Sequence, residues 1–292
     1  MTFYGPDAFL AKGETGGLVR SGDVDHARQR RLMSPAFSDK SLREQEPLMR
    51  KYVDTLVDKL SAEGEQGKAK VNMVDWFNFT TFDIMADLTF GESLHLLDRS
   101  KYTPWVSGIF SAFKVVTLGQ IARSIPGMEA VLLSIIPKSA REKRKMHNQH
   151  SVDRVDRRLQ MKTDRPDIWT YVLRFSNSEE NKDRALSLPE MYSNASTFMM
   201  AGTETTSTLM SGLIYLLLTH PDCISKLVSQ LRDTFPTRES INIQALASIE
   251  YLNACVEEAL RVYPPLPIGL PRVVPAQGAT ICDEQIPGGV SI

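Results

Sequence analysis

Apolar residues recur at helical spacing along most of the chain. Leu42, Leu48, Met49, Tyr52, Val53, Leu56, Val57 and Leu60 fall on one side of a helix over 38–62. Residues 76–89 form a second apolar helix, with Asp75 as its expected cap and Gly91 as its stop. Before it, Val71-Asn72-Met73 reads as a short edge strand. Met146, Val152, Val155 and Leu159 stripe a long charged helix over 138–162. Shorter helices are expected over 166–175, 221–235 and 248–263. The last ends at Pro264-Pro265, because a residue before proline is pushed out of the helical region. Leu252, Val256 and Ala259 supply its core stripe. Beyond Leu266 the chain is rich in proline and glycine, with β-like pieces at Arg272-Val273-Val274 and Ala279-Thr280-Ile281. The pattern predicts a mainly α protein with small β elements, one domain over 1–292.

The stretch 187–220 stands apart. Ser187 and Glu190 frame a capping box, with Pro189 in the first turn, where a missing N–H does no harm. No proline follows until Pro221, so one long helix is allowed. Phe198-Met199-Met200 and 213–218 make it apolar nearly all round, which marks a helix through the middle of a protein. Its centre breaks that pattern. Gly202 costs about 1 kcal/mol relative to alanine in a helix. Thr203, Thr205 and Thr206 carry hydroxyls that compete for the carbonyl one turn back. Glu204 is an acid inside a buried element. A helix weakened, opened and made polar at one spot has something lying against that spot.

Composition narrows the function. A chain of 292 residues, 42% hydrophobic, can bury a real core, and a net charge of −1 argues against nucleic acid as the main partner. Cys223, Cys255 and Cys282 show neither paired nor metal-type spacing, so no disulfide frame is expected. Cys223 and Cys255 read as small buried helix residues. No apolar run reaches the ~18 residues of a membrane span. Both ends read as interior pieces of a fold, which predicts a chain truncated at each end.

Two basic stretches have alternative readings. A short helix over 25–33 carries Arg28, Arg30 and Arg31, with His26 and Arg30 four apart on one face. It is either an anion clamp or a solvated basic face. The helix over 138–162 is either a nucleic-acid patch or an amphipathic helix with a wet face; interleaved Glu142, Asp153 and Asp156 favour the second. Glu258 and Arg261, at i and i+3, can pair on the helix surface.

Order and spacing join these pieces. Ala201-Gly202-Thr203-Glu204-Thr205-Thr206, then Glu258-x-x-Arg261 leading to Pro264-Pro265, then Pro271-Arg272, resembles the cytochrome P450 family. The stretch His26-x-x-x-Arg30-Arg31-Leu32-Met33-Ser34-Pro35-Ala36-Phe37-Ser38 is similar to that family's basic helix, with His26 where tryptophan is common. Asp87-Leu88-Thr89-Phe90-Gly91-Glu92 also fits. The flavour resembles fungal microsomal enzymes of secondary metabolism.

The resemblance implies a helical prism with small sheets and haem b against the long helix. The activity it implies is oxygen insertion into an apolar small molecule, with electrons from NADPH through a cytochrome P450 reductase. Thr205 and Glu204 would be the catalytic alcohol–acid pair. Gly202 would leave room for oxygen, and Ala201 and Thr206 would line the same pocket. Arg30, and more weakly His26 and Arg272, would bind haem propionates. Glu258 and Arg261 would be structural, and residues 105–136 would form a substrate lid that touches the membrane. The full-length family member would sit on the cytosolic face of the endoplasmic reticulum membrane. The family's iron ligand is a cysteine in a Phe-x-x-Gly-x-Arg-x-Cys-x-Gly loop, and no such loop occurs in these 292 residues. No metal ligand is therefore assigned. The expectation is an incomplete prism that does not hold a thiolate-ligated haem alone; the alternative is a non-catalytic helical remnant or binding module.

Overall fold

A computed structural model describes residues 16–19, 21–65, 68–107, 138–176, 185–267, 272–290 and 292. The expected lid over 105–136 lies outside the described residues except for its first three positions. The helices are α1 (Asp23–Met33), α2 (Asp39–Glu63), α3 (Met73–Phe90), α4 (Leu96–Arg99), α5 (Lys138–Gln160), α6 (Ile168–Ser176), α7 (Leu188–Thr219), α8 (Pro221–Thr234), α9 (Ile243–Ala247) and α10 (Glu250–Val262). A 3-10 turn, Ser34–Phe37, joins α1 to α2. One two-stranded antiparallel sheet follows, β1 (Ala279–Ile281) and β2 (Glu284–Ile286), in the register Ala279 to Ile286.

The core is built on α3 and α7, which pack along much of their length. Helix α3 is buried nearly all round: Trp76, Phe77, Phe79, Phe82, Ala86, Leu88 and Phe90 join the core, and its buried polar residues Asn78, Asp83 and Asp87 are held by hydrogen bonds. It starts differently from expectation. Asn72, not Asp75, is the N-cap, its side chain accepting from Val74 N–H at 3.2 Å. A cap at residue 72 also removes the expected edge strand over 71–73. Asp75, inside the first turn, instead accepts from Asn72 Nδ2 and from the Tyr102 hydroxyl. The helix stops at Gly91, whose φ of 74° is the left-handed conformation that glycine adopts without strain.

Beside this pair, charge is buried. Arg158 on α5 is 2% exposed and makes a two-pronged bridge to Asp167, at 2.7 and 2.8 Å, with a third bond to Thr170 Oγ1. Arg165 pairs with Asp167 and Asp87, and donates to the Gly91 carbonyl. The Tyr52 hydroxyl of α2 donates to Asp87 at 2.7 Å. One connected set thus ties α2, α3, α5 and α6. The basic stretch over 138–162 is a helix with one wet side, and Arg158 belongs to its dry side.

The pieces at the C-terminal side pair through backbone. Arg272 and Ile292 exchange two N–H···O bonds of 2.8 Å, and Val274 N–H donates to Val290 O. Cys282 and Asp283, with φ of 50° and 64°, form the two-residue turn between β1 and β2. Among the described residues no helix is long and apolar enough to cross a membrane.

Replacing Asp167 with alanine strands a buried guanidinium, so the chain should lose about 3–5 kcal/mol. Asp164→Ala, which removes the exposed partner of Arg174, should leave the urea midpoint almost unmoved. Equal midpoints for the two variants would contradict the buried-network reading.

Candidate active site

The long helix begins as expected. The Ser187 hydroxyl accepts from Glu190 N–H, and the Glu190 carboxylate accepts from Ser187 N–H at 2.8 Å. That carboxylate has a second task. Arg28 and Gln29 of α1 both donate to it. One turn on, the buried Asn194 donates to Gln29 Oε1 at 2.8 Å and accepts from Leu18 N–H at 2.7 Å. The cap of α7 is therefore also the dock for α1. This answers one question about the basic helix: Arg28 is turned inward to Glu190, while Arg30 and Arg31 are exposed.

At mid-length, α7 presents different sides. Met199, Thr203 and Ser207 form the buried stripe. The Ser207 hydroxyl donates to Asn78 Oδ1 on α3 at 2.6 Å. Gly202 is not an opening in the helix, which runs unbroken from Leu188 to Thr219. Its bare Cα lets Met85 of α3 come close: a Cβ there would stand 2.7 Å from the Met85 sulfur. Ala201 and Thr205, four apart, share the outward face and are both exposed, as is Thr206.

Thr203 and Thr205 each give their single hydroxyl hydrogen to the carbonyl one turn back, to Met199 at 2.6 Å and Ala201 at 2.7 Å. The Thr205 oxygen consequently faces outward as an acceptor. Glu204 is rotated about 100° from it around the helix and is half-buried. Burial pushes its carboxyl up from the ordinary value. Behind it lies a polar set that the sequence motifs had not marked. Asn78 Nδ2 donates to the Tyr102 hydroxyl at 3.1 Å, and Tyr102 donates to Asp75 at 2.8 Å. Burial first, then the bond to Asp75, pushes the Tyr102 phenol up. The available signal was Asn78 itself, an amide between Phe77 and Phe79.

The other expected site residues are dispersed. Arg30 is exposed and His26 half-buried on α1. Among the described residues no hydrogen bond or ion pair joins either to Ala201, Glu204, Thr205 or Arg272. Arg272 is exposed and held by its backbone pairing to Ile292. Pro271 lies outside the described residues. Glu258 and Arg261 form a two-pronged pair at 2.8 and 2.6 Å on the exposed side of α10. The hydrogen bond from Arg261 holds the Glu258 carboxyl below its usual value.

Comparison with known proteins gives this arrangement a family. The model for Cytochrome P450 matches residues 3–292. The chain belongs to the cytochrome P450 family. It is 47% identical over 292 residues to the cytochrome P450 monooxygenase efuB of Hormonema carpetanum, covering 99% of this chain and 56% of that protein. It is 44% identical to the cytochrome P450 monooxygenase FUM2 of Gibberella moniliformis, covering 92% and 57% respectively. To the cytochrome P450 monooxygenase astJ of Aspergillus oryzae it is 40% identical, covering 98% and 57%. The chain spans a little over half the length of these fungal relatives.

Haem is the general cofactor of the P450 family, and the residues present fit one face of it. An exposed alanine and a threonine oxygen on an open helix side leave space and an acceptor where a flat ligand would lie. The described residues do not supply the opposite side. Cys223 is exposed and Cys255 half-buried, not buried as their helical setting suggested. Cys282 occupies the hairpin turn. Among the described residues no group of three or more His, Cys, Asp or Glu could hold a metal.

A raised carboxyl pKa means that the folded chain holds the Glu204 proton more tightly than the unfolded chain does. Ionised Glu204 thus costs stability at neutral pH, and the cost vanishes below the ordinary carboxylate range near about 4. Glu204→Gln should raise the urea midpoint at pH 7 and leave it unchanged at about pH 3, below the ordinary carboxylate range; a gain of equal size at both would refute the burial effect.

Proposed function

We propose that the polypeptide containing this chain is a haem-thiolate monooxygenase that hydroxylates an apolar small molecule in fungal secondary metabolism. The observation that carries this reading is the outward pair Ala201 and Thr205 on a helix whose facing stripe of Met199, Thr203 and Ser207 is buried, with a half-buried acid one residue before the hydroxyl. Nothing in the packing of α7 needs an alcohol and an acid there. The fungal relatives, all cytochrome P450 monooxygenases by name, support the reaction class.

When bound, haem supplies oxygen binding and O–O cleavage, which a thiolate ligand favours. The chain supplies the surroundings. With its hydrogen committed to the Ala201 carbonyl, the Thr205 oxygen accepts from a water and fixes that water's position. Glu204, held protonated further up the pH scale than a solvated carboxyl, restores a proton to that water. Ala201 and Thr206 keep the outward face small. Arg30, with His26 and Arg272, would hold the propionates through charge-assisted bonds. The exposed Glu258–Arg261 pair would stiffen α10 and, in the longer protein, dock the segment that follows. Membrane contact through residues 105–136, a location on the endoplasmic reticulum, and electron supply from NADPH through a separate reductase belong to the same proposal.

The test uses the full-length protein in reductase-containing microsomes. It should show the red-shifted carbon monoxide band of a reduced haem-thiolate protein. Thr205→Ala should keep that band while product formed per NADPH consumed falls by a factor on the order of 10². An absent band in a folded full-length protein, or a Thr205→Ala variant with full coupling, would overturn the proposal.

A further inference from the structure

The polar set behind α7 is a continuous series of side-chain hydrogen bonds, and the proposed mechanism assigns it no task. Ser207 on α7 donates to Asn78 Oδ1 on α3 at 2.6 Å. Asn78 Nδ2 donates to the Tyr102 hydroxyl at 3.1 Å, and that hydroxyl donates to Asp75 at 2.8 Å. The other Asp75 oxygen accepts from Asn72 Nδ2 at 2.7 Å. Ser207 and Asn78 are buried, Tyr102 and Asp75 half-buried, and Asn72 exposed. The series therefore runs from the buried side of α7 to the water-facing start of α3. It joins three pieces of chain, since Tyr102 lies beyond α4 and belongs to neither α3 nor α7.

The direction of each bond is dictated from one end. A carboxylate only accepts, so the Tyr102 hydrogen points to Asp75 and the phenol oxygen is left to accept in turn. Asn78 offers Nδ2 to that oxygen, which turns its Oδ1 toward Ser207. The ring that carries the hydroxyl is fixed as well. It packs edge-on to Phe79 with centroids 4.9 Å apart, and Phe79 packs on Trp76 at 5.7 Å. Ser207 stands about one helical turn after Glu204 and also reaches the Glu204 carbonyl at 3.2 Å. A group that decides how Asn78 faces Ser207 thus decides where α7 points Glu204 and Thr205. The series does not carry protons, because the Asn78 amide would have to pass through its imidic-acid form to relay one. What it transmits is orientation.

We propose that Tyr102 and Asp75 are positioning residues for the Glu204–Thr205 face, acting through Asn78 and Ser207 to fix the rotation of α7. The inference rests on the monooxygenase reading for what that face does, and on the hydrogen bonds for how it is held.

Amide hydrogen exchange of the 292-residue chain, followed by mass spectrometry on peptides covering 199–210, tests the coupling. Tyr102→Phe keeps the ring on Phe79 and removes only the hydroxyl. It should speed exchange in these peptides about fivefold, the effect of one lost hydrogen bond on local opening. Peptides of α10 should not change; a rise there of the same size would mean global loosening and overturn the proposal. Tyr192→Phe is the matched control. It cuts a bond of the same type, from α7 to Asp156, and should leave 199–210 as in the parent. Asp75→Asn, which keeps an acceptor oxygen for the phenol, should stay close to the parent, while Asp75→Leu should match Tyr102→Phe; equal losses for the two would remove Asp75 from the role. In a Ser207→Ala background Tyr102→Phe should add nothing, and a fully additive effect would show that Tyr102 does not act through Ser207. A pH profile reads the acid itself. The rise in urea midpoint from Glu204→Gln at pH 7, relative to about pH 3, should shrink in the Tyr102→Phe chain, because a loosened α7 gives Glu204 more water; an unchanged rise would overturn the proposal. None of these readouts involves haem. Their failure leaves the monooxygenase reading standing, and a missing carbon monoxide band in the full-length protein leaves them standing.

Discussion

The close seam between α3 and α7 sets everything else. Two thick apolar helices would ordinarily hold their axes apart by the bulk of their side chains. Here Gly202 removes one side chain where Met85 needs room, and Ser207 meets Asn78 in a 2.6 Å bond. A buried hydroxyl and amide that satisfy each other fix rotation as well as distance, since any turn of α7 about its axis breaks the pair. With the side bearing Met199, Thr203 and Ser207 committed inward, the side bearing Ala201 and Thr205 has to face out. The outward face is thus a consequence of the core.

Much of this was legible in the chain because local chemistry decided it. The capping box at Ser187 and Glu190, the glycine stop at Gly91 and the proline stop after Tyr263 each act within a few residues, and each stands where spacing put it. The start of α3 was misplaced by three residues because Asn72 and Asp75 are both good caps by type; only the side-chain geometry separates them. What stayed hidden was nonlocal. Nothing in the run of charges over 138–162 distinguishes Arg158, which is buried on Asp167, from exposed Arg157, which pairs with Glu92. Nor does spacing tell that Glu190 closes a cap and docks α1 at once.

Gly202 shows how the structure can give a residue a different reason from the one its sequence suggests. Its presence in the middle of a helix signalled a close approach, and the expected visitor was a small molecule. The atoms that come close on the described side belong to Met85. Both uses fit one physical rule, that glycine in a helix interior is retained where something must come nearer than a Cβ allows. Since the α7 backbone is continuous through this point, access to the outward face comes from the smallness of Ala201 and not from a break in the helix.

A site of the proposed kind asks two incompatible things of one helix. Its acid and alcohol must be held within a fraction of an ångström, which calls for rigid packing, and they must also meet solvent-borne protons, which calls for exposure. The chain separates these demands around the helix axis. The buried stripe supplies rigidity, the outward stripe supplies access, and Glu204 lies at the boundary, half-covered. That intermediate position is what raises its carboxyl without any charged partner. An acid on the buried stripe would need dedicated partners, as Asp167 has in Arg158 and Asp83 in the N–H groups of Leu94, Leu96 and Leu97, and one on the outward stripe would titrate as in water. Only the boundary gives a proton donor whose strength is set by burial alone, so the seam that orients α7 also sets the acidity of the group beside Thr205.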